Sequence, residues 1–111
     1  MRRLHAGKLS TLECPGSRGV QEDGKAIDPA FIVRREDGVF GFINQCPHTA
    51  VNLDWQPDQF LDMDGLYIQC SVHGALFQIE DGVCVRGPCP GQQLQTLPVH
   101  IDGDDIYVDL P

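Results

Sequence analysis

Apolar residues along this chain come in short runs separated by polar turns, and the spacing of those runs is that of strands. Residues 4–12 read as a first strand. The pattern is then lost through Cys14-Pro15-Gly16-Ser17-Arg18-Gly19 and on to Pro29, where a polar, Gly-rich and Pro-rich composition predicts a long surface connection. Residues 31–35 and 39–44 are rich in β-branched and aromatic side chains and flank Asp37-Gly38, a hairpin signal because Gly accepts positive φ in a tight turn. That hairpin leads straight into Cys46.

The same grammar returns twice. Residues 66–69 run into Cys70, and residues 75–79 and 83–85 flank Asp81-Gly82. Residues 94–101 and 106–110 flank Asp102-Gly103-Asp104, a third hairpin predicted to close the base of the domain. A 3.6-residue helix period is not sustained over ten residues anywhere. Short strands at close spacing with turn signals between them predict an all-β, antiparallel fold.

Length and charge narrow the picture. A chain of 111 residues has room for one domain with one modest core and no second catalytic module. The net charge of -8, from 16 acidic against 8 basic residues, disfavours nucleic acid and anionic membranes as partners. It favours a partner with a basic docking face, or it serves solubility alone. No run of eighteen apolar residues occurs, and Met1-Arg2-Arg3 is followed by His5, Lys8 and Glu13, so the expectation is a cytoplasmic protein without a membrane tether. Reduced thiols suit the odd count of five cysteines.

Two short stretches carry chemistry: Cys46-Pro47-His48 and Cys70-Ser71-Val72-His73-Gly74. Each offers one thiolate and one imidazole, a donor set for zinc or for an iron-sulfur centre. Zinc modules commonly pair two Cys on one knuckle with two His one helical turn apart, whereas here each loop is mixed and too short to be that helix. A mixed pair on each of two loops suits a centre with two unlike irons.

In these motifs the chain resembles the Rieske-type 2Fe-2S proteins, specifically the low-potential, stand-alone Rieske ferredoxins, in which two Cys hold one iron and two His the other. Leu53 after the first loop, Gly74-Ala75-Leu76-Phe77 after the second, and Gly87-Pro88-Cys89-Pro90 further on fall where such ferredoxins carry their equivalents. The similarity covers roughly residues 31–108. One departure is the 21 residues, 49–69, between His48 and Cys70, a few more than usual. The excess, around residues 55–65, reads as a longer connection that stays clear of the ligand loops.

The resemblance implies a single domain over residues 1–111, small, antiparallel and multi-sheeted, with a cluster-binding subdomain at about 44–90 made of two ligand loops and a proline loop. It implies one 2Fe-2S cluster per chain, Cys46 and Cys70 on the buried iron, and His48 and His73 on the outer one. Neutral imidazoles remove two negative charges from that iron, so the added electron settles there and the potential rises relative to an all-Cys cluster. Pro47 stiffens the first loop, Gly74 permits a backbone path close to a sulfide, and Pro88 and Pro90 shield the cluster from water. Cys89 is open between spare ligand, redox-sensitive thiol and small apolar side chain; Cys84 reads as core. Trp55 is either a partner-docking aromatic or a local plug.

Two differences from the respiratory Rieske proteins bear on the chemistry. Val51 and Val72 stand where those proteins carry a disulfide between the ligand loops, and Ala75 and Phe77 stand where they place Ser and Tyr hydroxyls against the cluster. Lost donors lower the potential, toward the low end of the Rieske range at about -150 mV.

An oxygenase of this class needs a second, mononuclear iron held by two His and a carboxylate, and only His5 and His100 remain, one near each terminus. No Gly-rich dinucleotide fingerprint occurs either. The reading is therefore a one-electron carrier and not an enzyme, taking electrons from a reductase and passing them to an acceptor enzyme such as a ring-hydroxylating dioxygenase. The alternatives are a small Rieske-like subunit of a larger reductase of the nitrite reductase type, or a structural zinc domain.

Overall fold

A computed structural model describes residues 2–22, 24, 28–45, 53, 58–70, 74–87 and 92–111. Within these, the strands are β1 (Arg2–Lys8), β2 (Gly16–Val20), β3 (Ala30–Arg35), β4 (Gly38–Ile43), β5 (Tyr67–Gln69), β6 (Leu76–Gln78), β7 (Cys84–Arg86), β8 (Thr96–Leu97), β9 (Val99–Asp102) and β10 (Asp105–Leu110), with a single 3-10 turn at Leu9–Thr11. They form three sheets in the orders β1-β10-β9, β2-β3-β4-β8 and β5-β6-β7. Each ladder between these strands is antiparallel, as the short runs and tight turns predict. Among the described residues no α-helix occurs, and no helix is long and apolar enough to cross a membrane.

β3 explains why the middle sheet lies at the centre. Its side chains alternate between faces, and both faces are apolar. Phe31 and Val33 join a cluster with Phe42, Leu53, Phe60, Ile68, Cys70, Ala75, Phe77, Ile79, Cys84 and Leu94. Ala30 and Ile32 join another with Ala6, Leu12, Val20, Leu97, Ile106, Val108 and Leu110. One strand thus ties the β5-β6-β7 sheet to the sheet of the chain ends.

The hairpins sit where the Gly-containing turns put them, with the register shifted by a residue. Arg35 pairs with Gly38, so Glu36 and Asp37 make the turn, and Asp102 pairs with Asp105, leaving Gly103 and Asp104 outside the ladder. The last hairpin does more than close a base, because β10 pairs with β1 as well as with β9. Asp109 fastens that sheet: Arg3 Nε donates to Oδ1 at 2.7 Å and His100 Nε2 lies 2.8 Å from Oδ2. The guanidinium hydrogen bond, with help from His100, holds the Asp109 carboxyl down at about 2.

Two expectations need correction. The first apolar run ends at Lys8 and gives way to the 3-10 turn, and the stretch after Cys14 is not simply a connection because it contains β2. Gly16-Ser17-Arg18-Gly19-Val20 has little β-propensity of its own. Tertiary contacts hold it: a ladder to β3 from Gly16↔Arg34 to Val20↔Ala30, and the Arg18 guanidinium donating to Ala6 O at 2.9 Å.

Candidate metal centre

Of the four residues assigned to the cluster, the structure describes Cys70, while Cys46, His48 and His73 lie outside the described residues, as do Pro47, Val51, Trp55, Val72, Pro88, Cys89 and Pro90. What the fold does show is how the roots of the three loops are held. All three are anchored in the same apolar cluster, which contains Leu53, Cys70, Ala75 and Cys84.

Cys70 follows β5, and its N–H donates to Ala75 O at 2.8 Å, which ties together the two ends of the second loop. Gly74 ends that loop at φ +64, a conformation that L side chains rarely adopt. The Cys70 side chain is almost fully buried, at 2 % relative exposure, among apolar neighbours. Burial disfavours an ionised thiol unless a positive centre is bound to it, which is the environment of a thiolate on ferric iron. A buried cysteine at the end of β5 therefore fits one thiolate ligand of such a cluster.

The third loop is closed in the same way. Cys84 N–H donates to Gln92 O at 2.7 Å, and Leu94 N–H to Gly82 O at 2.9 Å. Gly87, at φ +109, then brings the chain against the second loop's root: a Cβ there would stand 2.8 Å from Ala75 Cα and 2.9 Å from Ala75 Cβ. The residue that opens the proline segment is thus glycine for a steric reason. Cys84 itself is buried core, and its thiol donates to Arg86 O at 3.3 Å, whereas Cys14 is exposed.

Sequence reasoning missed the clamp on the first loop, which is Asn44. By pattern it is the last residue of a β-run, yet its side chain is buried and its Oδ1 accepts from Leu53 N–H at 2.8 Å, across the segment that carries Cys46 and His48. The available signal was an Asn at a strand end two residues before Cys46.

The connection before Cys70 has structure of its own. Asp62 N–H donates to Tyr67 O and Gln69 N–H to Phe60 O, each at 2.9 Å, so residues 60–62 run beside residues 67–69 as a small hairpin. Asp62 Oδ1 also accepts from Leu66 N–H at 2.9 Å, which tightens the tip. Asp58 anchors the other side on β2, its Oδ1 accepting from Gly19 N–H at 2.7 Å and its carbonyl from Ser17 Oγ at 2.7 Å.

His5 and His100 are on β1 and β9 of the terminal sheet, beside Asp105 at 3.0 Å and Asp109 at 2.8 Å.

Known proteins match this chain over nearly its whole length. The 3-phenylpropionate/cinnamic acid dioxygenase ferredoxin subunit of Shigella flexneri serotype 5b (strain 8401) is 30% identical over 103 residues, spanning 88% of this chain and 91% of that protein. Among solved structures, the Sphingomonas yanoikuyae B1 ferredoxin superposes with a TM-score of 0.74 at 24% identity, covering 99% of this chain and 100% of that one. A chain from a complex of reduced oxygenase and oxidised ferredoxin in carbazole 1,9a-dioxygenase gives 0.74 at 24% identity, over 96% and 91% of the two chains. The family model described as the Rieske [2Fe-2S] domain matches residues 4–99. With ligand-loop roots gathered in one apolar cluster and that match across most of its length, this chain belongs to the Rieske [2Fe-2S] domain family.

Proposed function

We propose that Cys46 and Cys70 hold the inner iron and His48 and His73 the outer one, and that the loaded protein carries single electrons from a reductase to the terminal oxygenase of a ring-hydroxylating dioxygenase system. The cofactor is one 2Fe-2S cluster per chain. The protein is an electron carrier and not an enzyme. The observation that carries this reading is the end-to-end match to a dioxygenase ferredoxin subunit, 88% of one chain against 91% of the other. When bound, the cluster supplies a one-electron couple. Cys70 would hold it from the buried end of β5, close to where Gly87 packs against Ala75.

Turnover tests the role. Reconstituted with its reductase and terminal oxygenase, the protein is expected to take up one electron per chain and to be reoxidised by the oxygenase as substrate is consumed. Oxygenase turnover that is indifferent to this protein would overturn the assignment. The net charge of -8 further supports partners with basic docking faces. Transfer is then expected to slow as salt rises to physiological strength, where charges are screened over about 8 Å. A rate that does not change with salt would point to an apolar docking face.

The potential follows from what lies beside the cluster. Ala75 and Phe77 are fully buried in the same cluster of side chains as Cys70, so neither position supplies a hydroxyl donor there. A value near the low end of the family range, about -150 mV, is expected by film voltammetry. A donor to sulfur strengthens on reduction, and a gain of about 1 to 2 kcal/mol corresponds to roughly 40 to 90 mV for one electron. Ala75→Ser is expected to raise the potential by that order with the cluster spectrum intact; an unchanged potential would show that this position does not set it.

A further inference from the structure

We propose that Asn44 is the positioning residue of the first ligand loop: its side-chain amide fixes the separation of the two ends of the segment carrying Cys46 and His48, and so the placement of those ligands at the cluster. The inference rests on the ligand assignment above and adds a residue that does not touch metal.

Among the described residues, four hydrogen bonds converge at this point. The chain leaves β4 at Ile43 and turns at once, with Gln45 N–H donating to Ile43 O at 2.9 Å. Asn44 N–H donates to Pro29 O at 3.1 Å, and Asn44 Nδ2 donates to Asp28 O at 3.1 Å, which fastens the near end of the loop to the entry of β3. Asn44 Oδ1 then accepts from Leu53 N–H at 2.8 Å. Leu53 is fully buried in the core cluster that contains Cys70, so the far end is anchored as well. One amide group uses its donor on one segment and its acceptor on another. At 5 % exposure it does so with little competition from water, which strengthens both bonds.

The three loops differ in how they are closed. The second and third are closed by backbone pairs, Cys70 N–H to Ala75 O and Cys84 N–H to Gln92 O, which no side-chain change can delete. Among the described residues the first loop is closed by a side chain. Val51 and Val72 provide no covalent link in its place. The Asn44–Leu53 hydrogen bond thus ties the two ends of segment 45–52, and Cys46 lies two positions from Asn44 and His48 four. Releasing the Leu53 end restores loop freedom close to both ligands.

The chemistry of position 44 separates its possible occupants. Aspartate can accept from Leu53 N–H but cannot donate to Asp28 O, and its charge would face that carbonyl. Leucine fills the space and leaves both Leu53 N–H and Asp28 O without this partner.

The test uses the cluster-loaded chain and four proteins: parent, Asn44→Leu, Asn44→Asp and Ile106→Val. The last trims a fully buried residue in the other core cluster and controls for lost stability. Iron and sulfide content, the rate at which a chelator bleaches the visible band, the melting temperature and the low-temperature EPR spectrum of the reduced protein are read for each. Asn44→Leu is expected to bleach about tenfold faster than parent, the weight of one buried hydrogen bond, and to shift or broaden the EPR g-values. Asn44→Asp is expected to fall between the two, since it keeps the acceptor, and it carries the test if Asn44→Leu does not fold. Ile106→Val is expected to melt lower with an unchanged EPR spectrum. Parent EPR features in both Asn44 variants, with bleaching no faster than in Ile106→Val, would overturn the proposal. A parent that holds zinc, or iron without sulfide, would instead overturn the ligand assignment beneath it, and the two failures are distinguished by the parent alone.

Discussion

Cys70→Ser protein purified under low oxygen is expected to be colourless, with iron and acid-labile sulfide both lost, while the parent is brown and carries two of each per chain. The physical reason is the burial of this position. A hydroxyl is far harder to ionise than a thiol, and in an apolar setting at 2 % exposure the penalty on the anion grows. A neutral hydroxyl is a poor replacement for a thiolate that donates charge to ferric iron. Cys46→Ser and His73→Ala are expected to give the same loss, and Cys14→Ser and Cys84→Ser to keep the spectrum. For Cys84 the structure adds a reason: it is core, and a serine hydroxyl could still donate to Arg86 O as the thiol does at 3.3 Å. One zinc per chain and no sulfide in the parent would end the cluster assignment. Bleaching by Cys14→Ser would mean that the ligands are misassigned, because that residue is exposed.

What could be read from the residues was whatever is local. The Gly-containing turns announce their hairpins, and the paired Cys and His motifs announce the Rieske family that the match over residues 4–99 shows. What could not be read depends on partners far along the chain. β2 has no period of its own and exists because β3 and Ala6 supply its bonds. Asn44 is one polar residue at the end of a strand, and its role appears only when Asp28 and Leu53 are brought to it. Gly87 looks like ordinary turn chemistry beside Pro88, yet the constraint on it is contact with Ala75. In each case the deciding neighbour lies at least nine positions away, beyond the reach of a pattern.

Phe60→Ala is expected to be among the most destabilising single substitutions in the described part of the chain, lowering stability by about 3 to 5 kcal/mol. Against a total of about 5 to 15 kcal/mol for a domain of this kind, that is a large fraction. The residue lies in the segment that reads as a mere connection, but it is fully buried and its ring stacks on Phe31 with centroids 4.2 Å apart and planes 4° from parallel. Phe31 in turn stacks on Phe42, so one truncation opens a cavity beneath two strands of the middle sheet. The backbone of Phe60 adds a link to the metal centre, since its carbonyl accepts from Gln69 N–H at 2.9 Å, one residue before Cys70. Loosening residue 60 therefore reaches Gln69, the neighbour of the proposed ligand Cys70, through a single hydrogen bond. Guanidinium unfolding followed by circular dichroism and visible absorbance on one sample checks both effects. The midpoint is expected to drop, and the visible band is expected to bleach at lower denaturant than in the parent. Met63→Ala, three residues away and fully solvent-exposed, is the comparison, with an expected change within about 0.5 kcal/mol. If Phe60→Ala costs no more than Met63→Ala, the segment is the passive connection that its sequence suggests, and its contacts with Phe31 and Gln69 contribute nothing to the core or to the placement of Cys70.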